Sequence, residues 1–336
     1  MRSGPAISSR LRLAPRSARC SVASPGCAAC RNCWPSSVRL SRRVVRWNSR
    51  TPRCDSSCAS AWLAACGVIA CAAAACRRAA LAHGDAVVAT ARNAADVAKR
   101  FGELPALLGV SLDVTDEAQA ARAVEAAIAR FGRIDVLVNN AGFGLLGAVE
   151  EATADEVRKL YETNVFGLLN VTRAVLPSMR ARRSGHVLNL SSLGGHQSGP
   201  GFGLYCSTKF AVEGINQALH KELAPLGIHV TAVEPGYFRT EFLEGNSLTV
   251  SPTLIADYEG TSGQVRVAAR SISLNQPGDP EKLAQAVIRL VESPKPPMRL
   301  PLGTDTLQVI RDHIDLLQRE TAQWQTLSAS TDFAAA

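Results

Sequence analysis

Acidic residues and lysine are almost absent from the first sixty residues of this 336-residue chain. That segment holds twelve arginines, no lysine and a single acid, Asp55, so it carries +11 and leaves −3 of the net +8 to the remainder. It shows no helical or strand periodicity, and its composition does not favour a buried core. The net positive charge of the whole chain is therefore no argument that residues after 60 bind nucleic acid, and no nucleic-acid partner is expected.

Three interpretations fit residues 1–60. An organellar transit peptide is rich in arginine and serine and poor in acids, and a disordered basic tail has a similar composition. The third is translation of an upstream or out-of-frame stretch of a GC-rich gene, which the abundance of Arg, Ser, Cys, Ala and Pro without Lys favours. We expect residues 1–60 to be disordered or foreign to the fold, and residues 61–336 to form one domain.

Cysteine is scarce in the body of the chain, since nine of the ten cysteines lie between Cys20 and Cys76 and only Cys206 lies beyond them. A disulfide framework is therefore not expected there. Residues 27, 30 and 33 give two overlapping Cys-x-x-Cys spacings. They have no nearby histidine and no second pair, so no metal site is expected either.

The uncharged run from Ala61 to Cys76 has only sixteen residues, whereas a helix that crosses a bilayer needs about 20. Alanine, its main component, contributes little to membrane insertion. A signal-type apolar region or a membrane anchor remains the alternative. We expect the run instead to supply the first strand, phosphate loop and first helix of a nucleotide-binding fold in a cytoplasmic protein.

Apolar strand-like runs alternate with amphipathic helical patterns along the chain after residue 76. This rhythm predicts a doubly wound parallel sheet of the Rossmann type, with the site at the carboxyl ends of the strands. A helix beginning near Thr115 is expected to end at Gly132, and Pro280 is expected to start another. The predicted strands are Ala86 to Thr90, Leu107 to Ser111, Ile134 to Val138, Val187 to Leu190, Ile228 to Val233 and Met298 to Leu302.

Tyr205 and Lys209 stand four residues apart, a spacing that puts both side chains on one helix face. A free phenol has a pKa of about 10. A neighbouring ammonium favours the phenolate and brings the group toward acid/base use near neutral pH. Ser192 ends an apolar run thirteen residues before Tyr205 and can hold a substrate oxygen beside the phenol. The Tyr-Lys spacing alone is common on solvated helix faces, so its weight depends on the surrounding chain.

Several further motifs surround this pair in a fixed order. They are Asn-Asn-Ala-Gly at 139–142, Asn164 within Glu-Thr-Asn-Val-Phe-Gly, Ser-Ser-Leu-Gly-Gly at 191–195 and Pro-Gly-Tyr-Phe-Arg-Thr at 235–240. Their order and approximate spacing resemble those of the short-chain dehydrogenase/reductase family. The resemblance extends from about residue 62 to 333. It implies an NAD(P)-dependent oxidoreductase that interconverts a carbonyl and an alcohol by hydride transfer.

The resemblance also implies roles for single residues. Tyr205 is the general acid or base, Lys209 lowers its pKa and binds the nicotinamide ribose, and Ser192 bonds the substrate oxygen. Asn164 supports a water that continues the proton path from Lys209. The implied cofactor contacts are Asp113 and Val114 at the adenine, Asn139, Ala141 and Gly142 near the middle, and Pro235, Gly236 and Thr240 at the carboxamide.

Cofactor choice is predicted from the end of the second strand, where Ala91 replaces an NAD-type acid and Arg92 is adjacent. NADP(H) is therefore preferred, with NAD(H) possible. With a first strand at Trp62 to Ala65, Gly67 begins the phosphate loop, and Cys71 and Ala73 replace its later glycines. Those side chains obstruct a pyrophosphate. A cofactor-deficient binding or regulatory protein of the same fold is therefore the alternative function.

The expected substrate is a small apolar carbonyl compound or alcohol, because Phe238, Phe242, Leu243 and Tyr258 are candidates for an apolar pocket. Ordinary core packing explains these four residues equally well. The resemblance leaves open a homo-oligomer.

Overall fold

The computed structural model describes residues 67–70, 74–243 and 247–333, all within one compact unit. The predicted atypical segment, residues 1–60, lies outside the described residues, as do Cys71 and Ala73. Among the described helices, none combines the length and the apolar character that crossing a bilayer requires. Most of the apolar run from residue 61 to 76 is not covered by that finding.

Strands and helices alternate along the described chain. The strands are β1 Gly67–Ala70, β2 Ala86–Ala91, β3 Leu107–Ser111, β4 Val136–Asn139, β5 Gly144–Leu146, β6 Gly185–Leu190, β7 Ile228–Pro235, β8 Leu248–Val250 and β9 Arg299–Leu302. The helices are α1 Ala74–His83, α2 Ala94–Phe101, α3 Glu117–Phe131, α4 Ala154–Tyr161, α5 Gly167–Arg182, α6 Gly203–Leu223, α7 Gln264–Ile272, α8 Pro280–Glu292 and α9 Thr304–Ala329.

Seven parallel strands form the main sheet in the order β3-β2-β1-β4-β6-β7-β9. β1, β2 and β3 follow one another outward to one edge of the sheet. The chain then crosses back to the middle, and β4, β6, β7 and β9 follow one another outward to the other edge. The predicted doubly wound α/β fold in a single domain is confirmed. Crevices for ligands open outside the carboxyl ends of such strands, next to the point where the strand order reverses.

Both faces of the sheet are covered, which explains the nearly continuous apolar runs of its strands. Leu137 and Val187 point to one face, where they pack with buried residues of α3 and α5. Their neighbours Val138 and Leu188 point to the other face and pack with Val287 of α8. This alternation along two adjacent strands fixes the side on which each helix lies.

The position of β1 corrects the expected one. The strand occupies Gly67–Ala70, not Trp62 to Ala65, and Gly67 pairs with Ala86 at the start of β2. Gly67 therefore lies at the amino ends of the strands, opposite the predicted site, and is not part of a phosphate loop. The prediction failed because Gly67, the glycine of this alanine- and cysteine-rich run, was interpreted as the start of the phosphate loop, whereas it begins the strand.

The helix boundaries follow local capping chemistry. α3 is capped by Asp116, whose carboxylate accepts from the Gln119 N–H at 3.0 Å, and not by Asp113. Gly132 ends α3 with φ 81°, as predicted, because a left-handed residue is favourable at that position. Pro280 begins α8 as predicted, after Asp279 as the cap.

A smaller lobe, residues 247–272, is joined to the main unit by a two-stranded parallel sheet of β5 and β8. Glu151 holds this junction with a carboxylate that is fully buried. It accepts from the Ala148 N–H at 2.7 Å and the Ile255 N–H at 2.9 Å, and it is paired with Arg266. A buried charge with this many partners fixes the lobe over the carboxyl edge of the main sheet.

Candidate active site

A large cleft of about 1170 Å³ opens at the carboxyl ends of the main strands. The strand ends bring together segments that are far apart in the sequence, as expected for a doubly wound sheet. Among the predicted site residues, the cleft is lined by Gly142, Ser192, Tyr205, Lys209, Pro235, Gly236 and Thr240.

Ser192, Tyr205 and Lys209 meet at the centre of this cleft. The Ser192 hydroxyl is near enough to the Tyr205 phenol to lower its pKa, and it accepts from the Gly194 N–H at 3.2 Å. The Lys209 ammonium lies 5.6 Å from the centre of the Tyr205 ring. It donates to the Leu190 carbonyl oxygen at 2.7 Å, which anchors it to the end of β6.

The electrostatics of this trio differ from the expectation. Burial raises the pKa of Tyr205, and the nearby Ser192 hydroxyl only partly opposes that rise. Burial also lowers the pKa of Lys209 to about 8, against the opposing charge of Glu213. The expected lowering of the phenol pKa by Lys209 is thus wrong for this structure, since the ammonium is directed at Leu190. The raised pKa means that the phenol keeps its proton at physiological pH.

Asn164 lies in a π-helical turn, Glu162–Phe166, between α4 and α5. Its side-chain oxygen accepts from the Phe143 N–H at 3.0 Å, and its amide donates to the Phe143 carbonyl at 3.0 Å and to Thr208 Oγ1 at 3.1 Å. A Cβ on Gly142 would lie 3.0 Å from Asn164 Oδ1, so only glycine fits there without displacing the amide. Asn164 therefore clamps the loop after β4 to the helix that carries Tyr205.

Asn139 belongs to a buried chain of amides and does not face the cleft directly. Its amide donates to Thr172 Oγ1 and to Asn189 Oδ1, each at 2.9 Å. Asn189 donates in turn to Asn216 Oδ1 at 3.0 Å. These bonds link β4, α5, β6 and α6 below the site, and the next residue, Asn140, lines the cleft.

The turn at Pro235 and Gly236 is held by Asp305 at the start of α9. Asp305 Oδ2 accepts from the Tyr237 N–H at 2.6 Å. A Cβ on Gly236 would lie only 2.1 Å from Asp305 Oδ1, so the turn requires glycine. Thr240 accepts from the Phe242 N–H at 3.4 Å and lies at the cleft, where Phe242 contacts Tyr205 with ring centres 5.4 Å apart.

The predicted adenine-side residues lie apart from the acid/base trio. Val114, Asn139 and Ala141 line a small recess next to the main cleft. Asp113 turns its carboxylate to Thr115, accepting from its N–H at 3.0 Å and from its hydroxyl at 2.7 Å. Arg92 is exposed directly after β2.

The residues present fit a dinucleotide along the length of the cleft. Three arginines, Arg77, Arg78 and Arg100, line the cleft together with the first residues of α1, and Arg78 is paired with Glu281; their positive charges would suit phosphates. At the other end of the cleft, Asn140 and Lys209 supply hydrogen-bond donors. The turn at Gly236 has no side chain there, which leaves room for the cofactor. Among the described residues, no group of His, Cys, Asp and Glu is placed to hold a metal ion.

The substrate side of the cleft is mostly apolar. Of the four residues predicted for a pocket, Phe238, Phe242 and Leu243 line the cleft. Tyr258 does not, because its hydroxyl donates to Glu150 Oε2 at 2.7 Å on the outside of the lobe. Further apolar residues that line the cleft were not predicted from the sequence, among them Phe202, Val265, Ile272 and Leu274.

Two further groups were missed. Thr208, one residue before Lys209, accepts from Asn164, and Asp305 positions the turn at Gly236. The only feature of the sequence that could have indicated Thr208 is its position between Tyr205 and Lys209 in the Tyr-x-x-x-Lys motif. Asp305 had none, because its partners are nearly seventy residues earlier in the chain.

Comparison with known proteins agrees with this architecture. Residues 67–250 match the family model described as short chain dehydrogenase. Oxidoreductase BOA17 of Botryotinia fuckeliana is 37% identical over 256 residues, which are 75% of this chain and 92% of the relative. A 3-ketodihydrosphingosine reductase of Bacteroides thetaiotaomicron is 39% identical over 197 residues, or 57% of this chain and 71% of the relative.

Solved structures give the same result. A short-chain dehydrogenase from Streptomyces avermitilis is 38% identical with a TM-score of 0.72, covering 79% of this chain and 99% of its own. A 3-ketoacyl-(acyl-carrier-protein) reductase from Brucella melitensis, solved with NADH, is 28% identical with a TM-score of 0.59, covering 70% and 95%. The chain therefore belongs to the short-chain dehydrogenase family of NAD(P)-dependent oxidoreductases.

Proposed function

We propose that this protein is an NADP(H)-preferring enzyme that reduces small apolar carbonyl compounds and oxidises the matching alcohols. The observation that carries the proposal is that Ser192, Tyr205 and Lys209 line one cleft together, with the Lys209 ammonium 5.6 Å from the centre of the Tyr205 ring. Two hydroxyls that converge on one point can both bond a single carbonyl oxygen.

In reduction, Ser192 donates a hydrogen bond to the substrate oxygen and stabilises the negative charge that develops there. Tyr205 transfers its phenolic proton to that oxygen, and the raised pKa of the phenol keeps the proton available at neutral pH. A bound nicotinamide supplies the hydride, which no side chain can provide. Lys209 and Asn164 keep the phenol and the loop after β4 in place.

The preference for NADP(H) rests on Arg92. It comes directly after β2, where a carboxylate bonds the ribose 2′-hydroxyl in NAD-type sites and a cation accommodates a 2′-phosphate. The residue that ends β2, Ala91, has no charge with which to repel that phosphate. The apolar lining from Phe202, Phe238 and Phe242 favours an uncharged substrate.

The decisive experiment compares Tyr205→Phe with Tyr258→Phe in an NADPH-linked carbonyl reduction assay, together with NADPH titration of each variant. We expect Tyr205→Phe to lower kcat by about 10²- to 10⁴-fold, because the proton donor is lost, with the NADPH affinity retained. Tyr258 lies outside the cleft, so its variant keeps the parental rate.

Nearly full turnover by Tyr205→Phe would show that another group donates the proton. A parental protein that binds neither NADPH nor NADH would instead favour the cofactor-deficient binding protein. That alternative is motivated by the sequence that follows β1, which contains no glycine from residue 71 to 83, where the phosphate loop and first helix are expected.

A further inference from the structure

Two side chains in the interior, those of His196 and Glu234, meet beside the residues that line the cleft. Nε2 of His196 lies 2.9 Å from Oε2 of Glu234, which is within hydrogen-bonding distance. The Glu234 side chain is fully buried, and that of His196 is 13% exposed. Neither residue lines the cleft, whereas Gly194, Gln197 and Pro235 do. The chemistry proposed above uses neither group.

His196 closes the short helical turn that begins at Ser192. The Gly195 N–H donates to the Ser192 carbonyl oxygen at 2.9 Å, and the His196 N–H donates to the Leu193 carbonyl oxygen at 3.0 Å. The Gly194 N–H donates to the Ser192 hydroxyl itself, at 3.2 Å. These bonds form a tight turn. Its far end, at His196, therefore restrains the place of the Ser192 hydroxyl.

Glu234 is the next-to-last residue of β7 and directly precedes the turn at Pro235 and Gly236. Its Oε1 lies 3.3 Å from Nε of Arg299 on the neighbouring strand β9. The same Nε is paired with Oε2 of Glu213 on α6 at 2.9 Å. A buried charge is favourable only with partners that hold it. The carboxyl group that meets His196 is thus fixed to the sheet from its other side.

The serine turn is also joined to β7 before it begins. The Ser191 N–H donates to the Val233 carbonyl oxygen at 2.8 Å. Ser191 directly precedes Ser192, and Val233 directly precedes Glu234. This backbone bond attaches the start of the turn, and the contact of the imidazole with the carboxyl group attaches its end. The turn is therefore held to the end of β7 on both sides.

We propose that His196 and Glu234 are positioning residues that together set the distance between the substrate oxygen and the nicotinamide. Ser192 is the proposed partner of the substrate oxygen. The turn at Pro235 and Gly236 is expected, from the family resemblance, to hold the carboxamide of the cofactor. The pair joins these two segments, and a displacement of about 1 Å between reacting groups can lower a rate by about 100-fold. The inference rests on the proposed function, and neither residue touches the reacting atoms.

The first test replaces the imidazole in two ways. His196→Leu removes every polar contact with Glu234, whereas His196→Gln keeps an N–H donor near the position of Nε2. We expect His196→Leu to lower the single-turnover rate of NADPH oxidation by about 10- to 100-fold, because the serine turn loses its second attachment. The KM for the substrate and the Kd for NADPH should change little, since the groups that bind both ligands remain. His196→Gln should restore most of the rate.

The isotope effect separates positioning from loss of folded protein. With NADPH that carries deuterium at the transferred position, the isotope effect on kcat should rise in His196→Leu, because hydride transfer then limits turnover more completely. A smaller fraction of folded enzyme would lower the rate and leave the isotope effect as it is in the parental protein.

A double variant tests whether the two residues act as one unit. Glu234→Leu alone should lower the rate about as much as His196→Leu, and the double variant should lose no more than either single variant. The double variant also leaves neither member of the pair buried without its partner. It keeps the test informative if a single variant does not fold, because replacing a buried pair by apolar side chains often preserves stability.

Hydrogen exchange followed by NMR gives a measurement that needs no turnover. The N–H groups of Gly194 and Gly195 are both bonded to Ser192. Their exchange should be about tenfold faster in His196→Leu, as expected when one hydrogen bond no longer holds the turn closed. His196→Gln should return the exchange toward the parental rate.

His83→Gln is the matched control for the loss of an imidazole that contacts carboxylates. The His83 ring nitrogens lie 3.2 Å from Asp85 and 3.2 Å from Glu292. His83 ends α1 and does not line the cleft. The variant should keep the parental rate of hydride transfer, the parental isotope effect and the parental exchange of Gly194 and Gly195.

An unchanged rate of hydride transfer in folded His196→Leu would overturn the proposal. A lower rate with an unchanged isotope effect, or losses that add in the double variant, would do so as well. Failure of the proposed function gives a different result. Full turnover by Tyr205→Phe would remove the proton donor and leave the effects of His196→Leu as expected. If the parental protein has no turnover, unchanged exchange of Gly194 and Gly195 in His196→Leu would still refute the attachment of the serine turn.

Discussion

The proposed preference for NADP(H) rests on one side chain, that of Arg92, which directly follows β2. Arg92→Gln removes the only charge of that side chain, and we expect it to weaken NADPH binding by about tenfold, the size of one exposed charge-assisted bond. NADH binding should change little, because that cofactor has no 2′-phosphate. Fluorescence titration with both cofactors measures this, with Arg122→Gln on the exposed face of α3 as the control. Equal loss of affinity for both cofactors would contradict the assignment.

Gly236 is required by its contact with Asp305, because a Cβ would lie 2.1 Å from Asp305 Oδ1. Gly236→Ala should displace that carboxylate, break its bond to the Tyr237 N–H and reduce the free energy of unfolding by about 1–3 kcal/mol. The cofactor affinity should fall as well, since the turn lines the cleft. Urea unfolding measures the first effect and NADPH titration the second.

Gly260 offers a matched control for Gly236. A Cβ there meets nothing within 4 Å. Gly260→Ala should therefore change the free energy of unfolding by no more than about 0.5 kcal/mol. Equal destabilisation by the two substitutions would show that the contact with Asp305 does not determine the cost.

At the scale of elements, the small lobe depends on Glu151. Burial alone would raise its pKa, but the N–H groups of Ile255 and Ala148 and the charge of Arg266 lower it below its usual value. A lowered folded pKa means that the carboxylate stabilises the fold above its unfolded pKa of about 4.3, and that this contribution is lost as the pH falls through the folded value.

Glu151→Gln should therefore reduce the free energy of unfolding by about 3 kcal/mol at neutral pH, since it leaves Arg266 buried without its partner. The difference from the parental protein should shrink at acid pH, where the parental carboxylate is protonated as well. Urea unfolding at several pH values measures this. A difference that stays constant down to acid pH would contradict the assigned charge state of Glu151.

The same scale shows what the sequence can predict. The strands at Leu107–Ser111 and Ile228–Pro235 were located to within two residues, because β-branched apolar runs bounded by turn residues are a strong signal. β1 was placed wrongly, because Gly67 was interpreted as a loop residue although it begins the strand. The π-helical turn at Glu162–Phe166 was not predicted either, because its register depends on packing around Asn164.

The candidate site was predictable in its residue types and only partly in its geometry. The spacing of Tyr205 and Lys209 predicted their shared helix face, which the structure contains in α6. The ion pair of Glu234 with Arg299 could not be predicted, because these residues come from separate strands and meet only in the folded sheet. Local spacing predicts contacts within one helix but not contacts between strands.

At the scale of the whole molecule, the helix α9 packs against the rest of the protein with few buried residues. Among its described residues only Thr306 is buried, and Ile314, Leu317, Trp324 and Leu327 are exposed along it. The homo-oligomer left open by the family resemblance stays a prediction. Light scattering of the purified protein at several concentrations measures it directly.

β1 has a role in folding that its four residues do not suggest. Among the described strands it alone joins β2 to β4, and Val68 pairs with Val136 far along the chain. Until β1 is in place, β2 and β4 each present an unpaired backbone edge, and such edges recruit strands from other chains. We therefore expect that loss of the β1 pairing would expose both edges and favour aggregation over folding.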